Sequence, residues 1–368
     1  MGRILFFVLI SIITVGCNFI TKEKNSIEQN PIEKKIEKAM AENNVPSLSI
    51  GIIRDGKIDV LKGFGTKSRK DTTKVNENSI FQIASQSKMF TGIMVNNLIQ
   101  EGKLNLEESI TSYFPSDINE NAKKRLDKIK LKFLLNHTSG IPSDACSVYS
   151  ERIDGDAWTK GYSIEQLIKD INTIKLEFEP GSQFQYSNSG YAVVGFICET
   201  VSNLSYSQLL EKYVTLPYEL NNTSVRLSDT QALRLVRPYR KDNRMIATEP
   251  SNMGMATPAS AIYSNATDLT NILAEQIKAY RLYDSLNEQS PLILTKQTSK
   301  MDEKLQYGFG LIKMTSGSDI KYSHGGDADG FACEYFFSPQ KNTGVVLLTS
   351  SGGRWLGELA DGILENLK

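Results

Sequence analysis

Ser85 and Lys88, in the run Gln82-Ile83-Ala84-Ser85-Gln86-Ser87-Lys88-Met89-Phe90, have the types and spacing of an activated nucleophile. On a helix, residues three apart share a face, so the lysine amine can reach the serine hydroxyl. A serine beside a lysine is one way to make a nucleophile without histidine. Spacing alone does not single this pair out, because Ser318/Lys321 and Ser338/Lys341 share it. Those pairs lie in polar runs, Thr315-Ser316-Gly317-Ser318-Asp319 and Ser338-Pro339-Gln340-Lys341-Asn342, which read as solvated hairpin connections. Ser85 instead follows a strand-like stretch, 80–84. It opens a run that places Met89, Ile93, Met94 and Leu98 at helical spacing. A helix start also presents backbone N–H groups to whatever sits there.

Two further runs add polar groups. Tyr186-Ser187-Asn188 follows a Pro180-Gly181 turn and precedes a helical pattern over 191–201. His324-Gly325-Gly326 ends a strand-like stretch. In this order, Ser-x-x-Lys, Tyr-x-Asn and His-Gly-Gly resemble the serine β-lactamase and penicillin-binding-protein superfamily. The resemblance is nearest to class C β-lactamases, D-alanyl-D-alanine carboxypeptidases, and related esterases and D-aminopeptidases. Segments 134–142 (Leu-Leu-Asn-His-Thr-Ser-Gly-Ile-Pro), 261–269 and Tyr307-Gly308-Phe309-Gly310 also look like that family, and the likeness runs from about residue 32 to the C-terminus. A second Tyr-x-Asn, Tyr263-Ser264-Asn265, stands directly before an amphipathic run starting at Asp268 and reads as a helix cap. The family pattern therefore fits Tyr186.

The resemblance implies roles. Ser85 is the nucleophile that forms an acyl-enzyme. Lys88 and Tyr186 share the general-base work: burial disfavours a charged lysine and a nearby ammonium favours a tyrosinate, so the two titrations are coupled. Asn188 offers its amide to the substrate carbonyl. The backbone N–H groups of Ser85 and Asp327 form the oxyanion hole. His324, Gly325 and Gly326 line the substrate site. Many relatives carry Lys-Thr-Gly here, which grips a substrate carboxylate. A histidine with an ordinary pKa near 6.5 is mostly neutral at pH 7, and Gly325 brings no hydroxyl. Weaker carboxylate recognition is expected, partly recovered near pH 6, with the glycines leaving room for a bulkier or uncharged substrate. His137 reads as a structural residue bonded to nearby backbone. Arg354, at the start of the last helix, reads either as a carboxylate partner or as a solvated surface charge.

The elements that must position these groups fall into three parts. A surface helix spans 31–43. Strand-like runs at 47–53 and 57–65 are joined by Asp55-Gly56, a hairpin signal. The middle, about 85–300, is mainly helical. Strand patterns return at 307–313, 319–323, 330–338 and 343–350, and a helix over 356–367 closes the chain. The expected fold is α/β (α+β): an antiparallel sheet of N- and C-terminal strands, flanked by the terminal helices, with an inserted, mainly helical subdomain, as in β-lactamases and transpeptidases.

Composition narrows the function class. With 42 basic and 42 acidic side chains there is no basic stripe and no reason to propose nucleic acid as a partner. No cysteine spacing suggests zinc and there are two histidines, so neither metal nor cofactor is expected. Arg3 precedes an apolar run, 4–15, too short to span a bilayer but fitting a signal-peptide core. Thr14-Val15-Gly16-Cys17 resembles a bacterial lipobox, whose cysteine is acylated. Residues 1–16 are therefore read as a lipoprotein signal, 17–30 as a lipid-anchored tether and 31–368 as one hydrolase domain outside the cytoplasm. Cys146, Cys198 and Cys333 allow at most one disulfide, and the last two read as buried thiols. The function expected is a serine hydrolase on a small-molecule or peptide substrate: peptide-like amides such as D-Ala-D-Ala peptides or β-lactams. The alternatives are an esterase or D-aminopeptidase, and a penicillin-binding sensor or wall-binding lipoprotein without turnover.

Overall fold

The computed structural model describes residues 30–149, 161–286, 290–328 and 330–367. The signal segment, Cys17 and the tether up to residue 29 lie outside the described residues. Helix α1 (Pro31–Glu42) starts on Asn30, whose side-chain oxygen accepts the Ile32 N–H at 3.0 Å. Pro31 takes the first helical position, where a missing N–H costs nothing. Ile36 and Met40, four apart, are its buried stripe. Strands β1 (Ser47–Arg54) and β2 (Lys57–Gly65) form the expected hairpin, with Asp55 and Gly56 at φ 51° and 75°.

Strand β3 (Phe81–Gln82) pairs with β4 (Tyr263–Ser264). Between them lies the mainly helical insert. Its helices are α2 (Ser87–Gln100), α3 (Glu120–Leu126), α4 (Leu131–Leu135), α5 (Ile164–Ile171), α6 (Asn188–Ser202), α7 (Tyr206–Leu210), α8 (Asp229–Ala232) and α9 (Thr257–Ser260). Helix α10 (Ala266–Leu286) leads back to the sheet. Asn265 caps it, accepting the Asp268 N–H at 2.8 Å, which gives the second Tyr-x-Asn its structural purpose. Then come β5 (Ser299–Lys300), β6 (Leu305–Tyr307), β7 (Ile312–Ser316), β8 (Asp319–Ala328), β9 (Phe331–Ser338), β10 (Thr343–Thr349) and α11 (Trp355–Leu364). The two ends of the chain meet in one eight-stranded sheet, order β2-β1-β10-β9-β8-β7-β6-β5, in which β1 pairs antiparallel with β10.

Side chains alternate across the sheet. Phe331, Cys333, Tyr335 and Phe337 of β9 face α2 and α10 in the larger core. Ala332 and Phe336 face the other way and pack with Leu48, Ile50 and Leu356 beneath α1 and α11. The terminal helices thus cover one face and the insert leans on the other. Cys146, Cys198 and Cys333 are buried free thiols. Among the described residues, no helix is long and apolar enough to cross a membrane.

Two strand expectations need correction. Residues 307–313 are not one strand, because β6 ends at Tyr307 and β7 begins at Ile312. The intervening residues leave the sheet to pack on α2. A Cβ on Gly310, whose φ is +86°, would stand 2.3 Å from the Lys88 carbonyl oxygen, and a Cβ on Gly92 would stand 2.1 Å from that of Phe309. Backbone touches backbone there, beside the helix start that carries Lys88. Strand β8, in turn, continues to Ala328, so His324-Gly325-Gly326 lies inside a strand and not at its end.

Candidate active site

Ser85 is delivered by a kinked turn. After β3, Ala84 takes φ +44°, uncommon for a residue with a Cβ, and a short 3-10 turn, Ala84–Gln86, feeds α2. Of the residues from Ser79 to Asn96, Ser85 alone is half-buried, and the rest are buried. Helix α2 is therefore a central helix, enclosed on all sides over its first turns, and Ser85, just before it, opens this stretch to solvent.

Lys88 is fully buried one turn further on. Its Nζ lies 3.4 Å from Ser85 Oγ, 2.7 Å from Asn188 Oδ1 and 2.7 Å from the Ala259 carbonyl oxygen. Burial holds its pKa well below that of a free lysine. A neutral amine has two N–H groups and one lone pair. With Asn188 and Ala259 taking the N–H groups, the lone pair is left for Ser85. Asn188 is brought in by α6, whose start is fixed by the Ser187 hydroxyl accepting the Gly190 N–H at 2.9 Å.

Tyr186, half-buried, stands with its ring centroid 4.7 Å from Lys88 Nζ. Burial raises the phenol pKa, and a hydrogen bond with Ser85 offsets this in part. Burial therefore works against the charged form of both groups, the Lys88 ammonium and the Tyr186 phenolate. This corrects the expectation that a neighbouring ammonium would favour a tyrosinate.

Strand β8 runs beside Ser85. Gly326 packs on the Ser85 turn so closely that a Cβ there would stand 3.0 Å from the Ser85 nitrogen and 2.2 Å from the Ile83 carbonyl oxygen. Strand β7 pairs with β8 from Ser316↔Asp319 only as far as Ile312↔Ser323. The closing pair of a two-residue hairpin is hydrogen-bonded, and backbone groups then point alternately to the two neighbouring strands. Odd-numbered residues of β8 therefore face the β7 side. Beyond Ser323, the Asp327 N–H and the Gly325 carbonyl look onto an edge that β7 has left. The exposed Asp327 carboxylate itself points elsewhere, to Lys241 Nζ at 2.6 Å.

Gly325 faces the terminal-helix side, opposite Glu334 of β9. A Cβ on Gly325 would stand 2.8 Å from both Glu334 carboxylate oxygens. Burial, and then the charge of Asp327, push the Glu334 pKa up to about 8. The two glycines consequently do not leave room for a larger substrate. One seats the strand on the Ser85 turn, and the space beside the other is filled by Glu334.

His324 is buried and faces the insert. Nε2 lies 2.8 Å from the Tyr307 hydroxyl, and Nδ1 lies 2.7 Å from the Gly325 carbonyl oxygen. The carbonyl can only accept, so Nδ1 carries the proton and Tyr307 donates to Nε2. Burial, and then the nearby Lys88, lower its pKa to about 3. The expectation of a histidine that charges near pH 6 is therefore wrong. Arg354 stands exposed at the N-cap of α11.

A family model described as Beta-lactamase matches residues 32–364. The chain belongs to the β-lactamase family. Among curated relatives, this family member is 28% identical over 336 residues to Protein flp of Staphylococcus aureus strain N315. The match covers 90% of this chain but 65% of that protein. It is 23% identical to a Beta-lactamase of Providencia stuartii, covering 90% of this chain and 88% of the relative. Among solved structures it is similar to the octameric penicillin-binding protein homologue from Pyrococcus abyssi. There the TM-score is 0.78 at 25% identity, over 91% of this chain and 76% of that one. The large antiparallel sheet with its helices matches the penicillin-binding-protein and β-lactamase fold.

Within this β-lactamase-family site, the structure gathers Ser85, Tyr186 and Asn188 around the Lys88 amine, with Gly326 against the Ser85 backbone. It sets Gly325 on the far face and locks both ring nitrogens of His324. Three participants lack a role in the sequence reading. Tyr307 sits in a run that already looked like the family, Ala259 acts through a backbone carbonyl that leaves no sequence signal, and Glu334 had none.

Proposed function

We propose that the chain is a serine hydrolase working through an acyl-enzyme on Ser85. The observation that carries this is the fully buried Lys88 amine 3.4 Å from Ser85 Oγ, where burial works against its charged form. As Ser85 Oγ bonds to the substrate carbonyl carbon, its proton passes to Lys88 Nζ. The oxyanion that forms is met by the N–H groups of Ser85 and Asp327. The Tyr186 phenol then protonates the leaving group and is reprotonated from the Lys88 ammonium. Water attacks the acyl-enzyme along the reverse path and frees Ser85.

For substrate, we propose a carbonyl compound that brings no carboxylate to the His324 position: an uncharged ester or amide ahead of a β-lactam or a D-Ala-D-Ala peptide. Two features support it. His324 is neutral throughout the physiological range, and both its ring nitrogens are engaged. We further propose that the domain sits outside the cytoplasm, anchored through a lipid on Cys17. The support is the apolar run ending in Gly16-Cys17 and the polar stretch behind it.

The test uses purified residues 18–368. A fluorophosphonate should add one adduct, mapped to Ser85, and an aryl ester should be cleaved faster than nitrocefin or a D-Ala-D-Ala peptide. An adduct on Ser318 or Ser338 would overturn the nucleophile. Faster nitrocefin cleavage would overturn the substrate class. A single adduct with no turnover of any substrate would favour a sensor.

A further inference from the structure

We infer that His137 is a positioning residue for Tyr186, setting where the phenol stands when the acyl-enzyme forms. The inference rests on the Ser85 acyl-enzyme reading. His137 follows α4 and holds the backbone on both sides of Tyr186. The Gln185 N–H donates to the His137 carbonyl oxygen at 2.8 Å, and the Ser187 N–H donates to His137 Nδ1 at 3.1 Å. The imidazole also lies against the Tyr186 ring, with centroids 4.3 Å apart. Ser187 in turn caps α6, whose first residue, Asn188, bonds Lys88. One side chain thus ties together the phenol and the amide on either side of Ser187.

Two features argue against a role in packing alone. His137 adopts φ +61°, a left-handed conformation that glycine or asparagine takes more readily. Because Nδ1 accepts the Ser187 N–H, the ring proton must sit on Nε2, and Nε2 is buried without a hydrogen-bond partner among the described residues. The rings of Tyr307 and Tyr191, with centroids at 4.4 and 5.2 Å, pack around the imidazole. A leucine or phenylalanine would fill this space without stranding an N–H. What histidine supplies in addition is an acceptor at one fixed point, and that point holds the Ser187 N–H. The ring stays an acceptor because burial, and then Lys88, keep its pKa well below that of a free histidine.

The experiment compares His137→Ala, His137→Asn, Tyr186→Phe and the His137→Ala/Tyr186→Phe double variant. Each is measured for fluorophosphonate labelling rate, aryl-ester kcat and KM, and Tm, with Ser85→Ala as control. A displaced catalytic group typically costs about 100-fold in kcat. His137→Ala should therefore lose about that much in kcat with KM nearly unchanged, and the double variant should be no slower than Tyr186→Phe. Asparagine tolerates the left-handed backbone and offers an oxygen near the Nδ1 position, so His137→Asn should recover most of the rate. A folded His137→Ala at the parent rate overturns the inference. So does a His137→Asn no faster than alanine at matched Tm, or losses that multiply with Tyr186→Phe. If the alanine variant does not fold, the same coupling test is run with His137→Asn, and multiplying losses again overturn it. Labelling that survives Ser85→Ala sinks the acyl-enzyme reading itself. Labelling that vanishes in Ser85→Ala but is untouched by the His137 variants sinks only the positioning role.

Discussion

Gly326 and Ser85 meet backbone to backbone, with 3.0 Å between the Ser85 nitrogen and the place where a Gly326 Cβ would stand. The same Cβ would be 2.2 Å from the Ile83 carbonyl oxygen, and backbone cannot rotate away. Gly326→Ala should therefore push β8 off the Ser85 turn, costing about 1–3 kcal/mol of stability and about 100-fold in the rate of Ser85 labelling. Gly325→Ala meets only the end of the Glu334 side chain, which can swing aside, and should cost under about 1 kcal/mol. Urea midpoints and labelling rates compare the two, and equal losses would contradict the packing described.

His324 gives a pH prediction with a definite sign. Its folded pKa of about 3 lies below the ordinary 6.5, so the unfolded chain binds its proton first. The stability it contributes is present above pH 6.5 and drains away as pH falls toward 3. His324→Gln, which keeps an acceptor for Tyr307, should show a shallower fall in Tm than the parent between pH 7 and 4. Hydrolysis of a carboxylate-bearing substrate should gain nothing over the ester between pH 7.5 and 6. A gain in that interval would mean that the imidazole does charge there.

Lys88 and Tyr186 should behave as one unit. General-base losses typically run from about 100- to 10,000-fold, and Lys88→Ala and Tyr186→Phe should each fall in that range. The double variant should be little worse than either single one, because the proton taken from Ser85 reaches the leaving group only by way of both groups. Since burial holds the Lys88 pKa well below its ordinary value, the rising limb of acylation should lie far below pH 10. Losses that simply multiply, or a limb near pH 10, would separate the two roles.

Anchoring is tested at Cys17. Cys17→Ser should abolish labelling by a palmitate analogue and release the protein from membranes. The active site should be unaffected, since the tether carries none of its residues. Unchanged labelling together with unchanged membrane association would remove the anchor.

Local spacing and motif order made part of this site legible in the sequence. Ser85 and Lys88 are three apart at a helix start, and no tertiary contact is needed to put them on one face. The Asp55-Gly56 turn, the cap at Asn265 and the period of the terminal strands fixed the hairpin, a helix start and the sheet in the same way. What tertiary structure decided depends on which groups are shut away from water and which side of a strand meets which neighbour. His324 looked able to charge until Tyr307 and the Gly325 carbonyl took its nitrogens and burial took its proton. Gly325 looked like open space until β9 put Glu334 beside it. His137 read as a residue bonded to nearby backbone, and the fold decided which backbone: the N–H groups of Gln185 and Ser187, about fifty positions along the chain. Spacing along a helix or strand is a local property and can be read from the residues alone. Desolvation and cross-strand contact are set by residues far apart in the chain, so they exist only once the chain has folded.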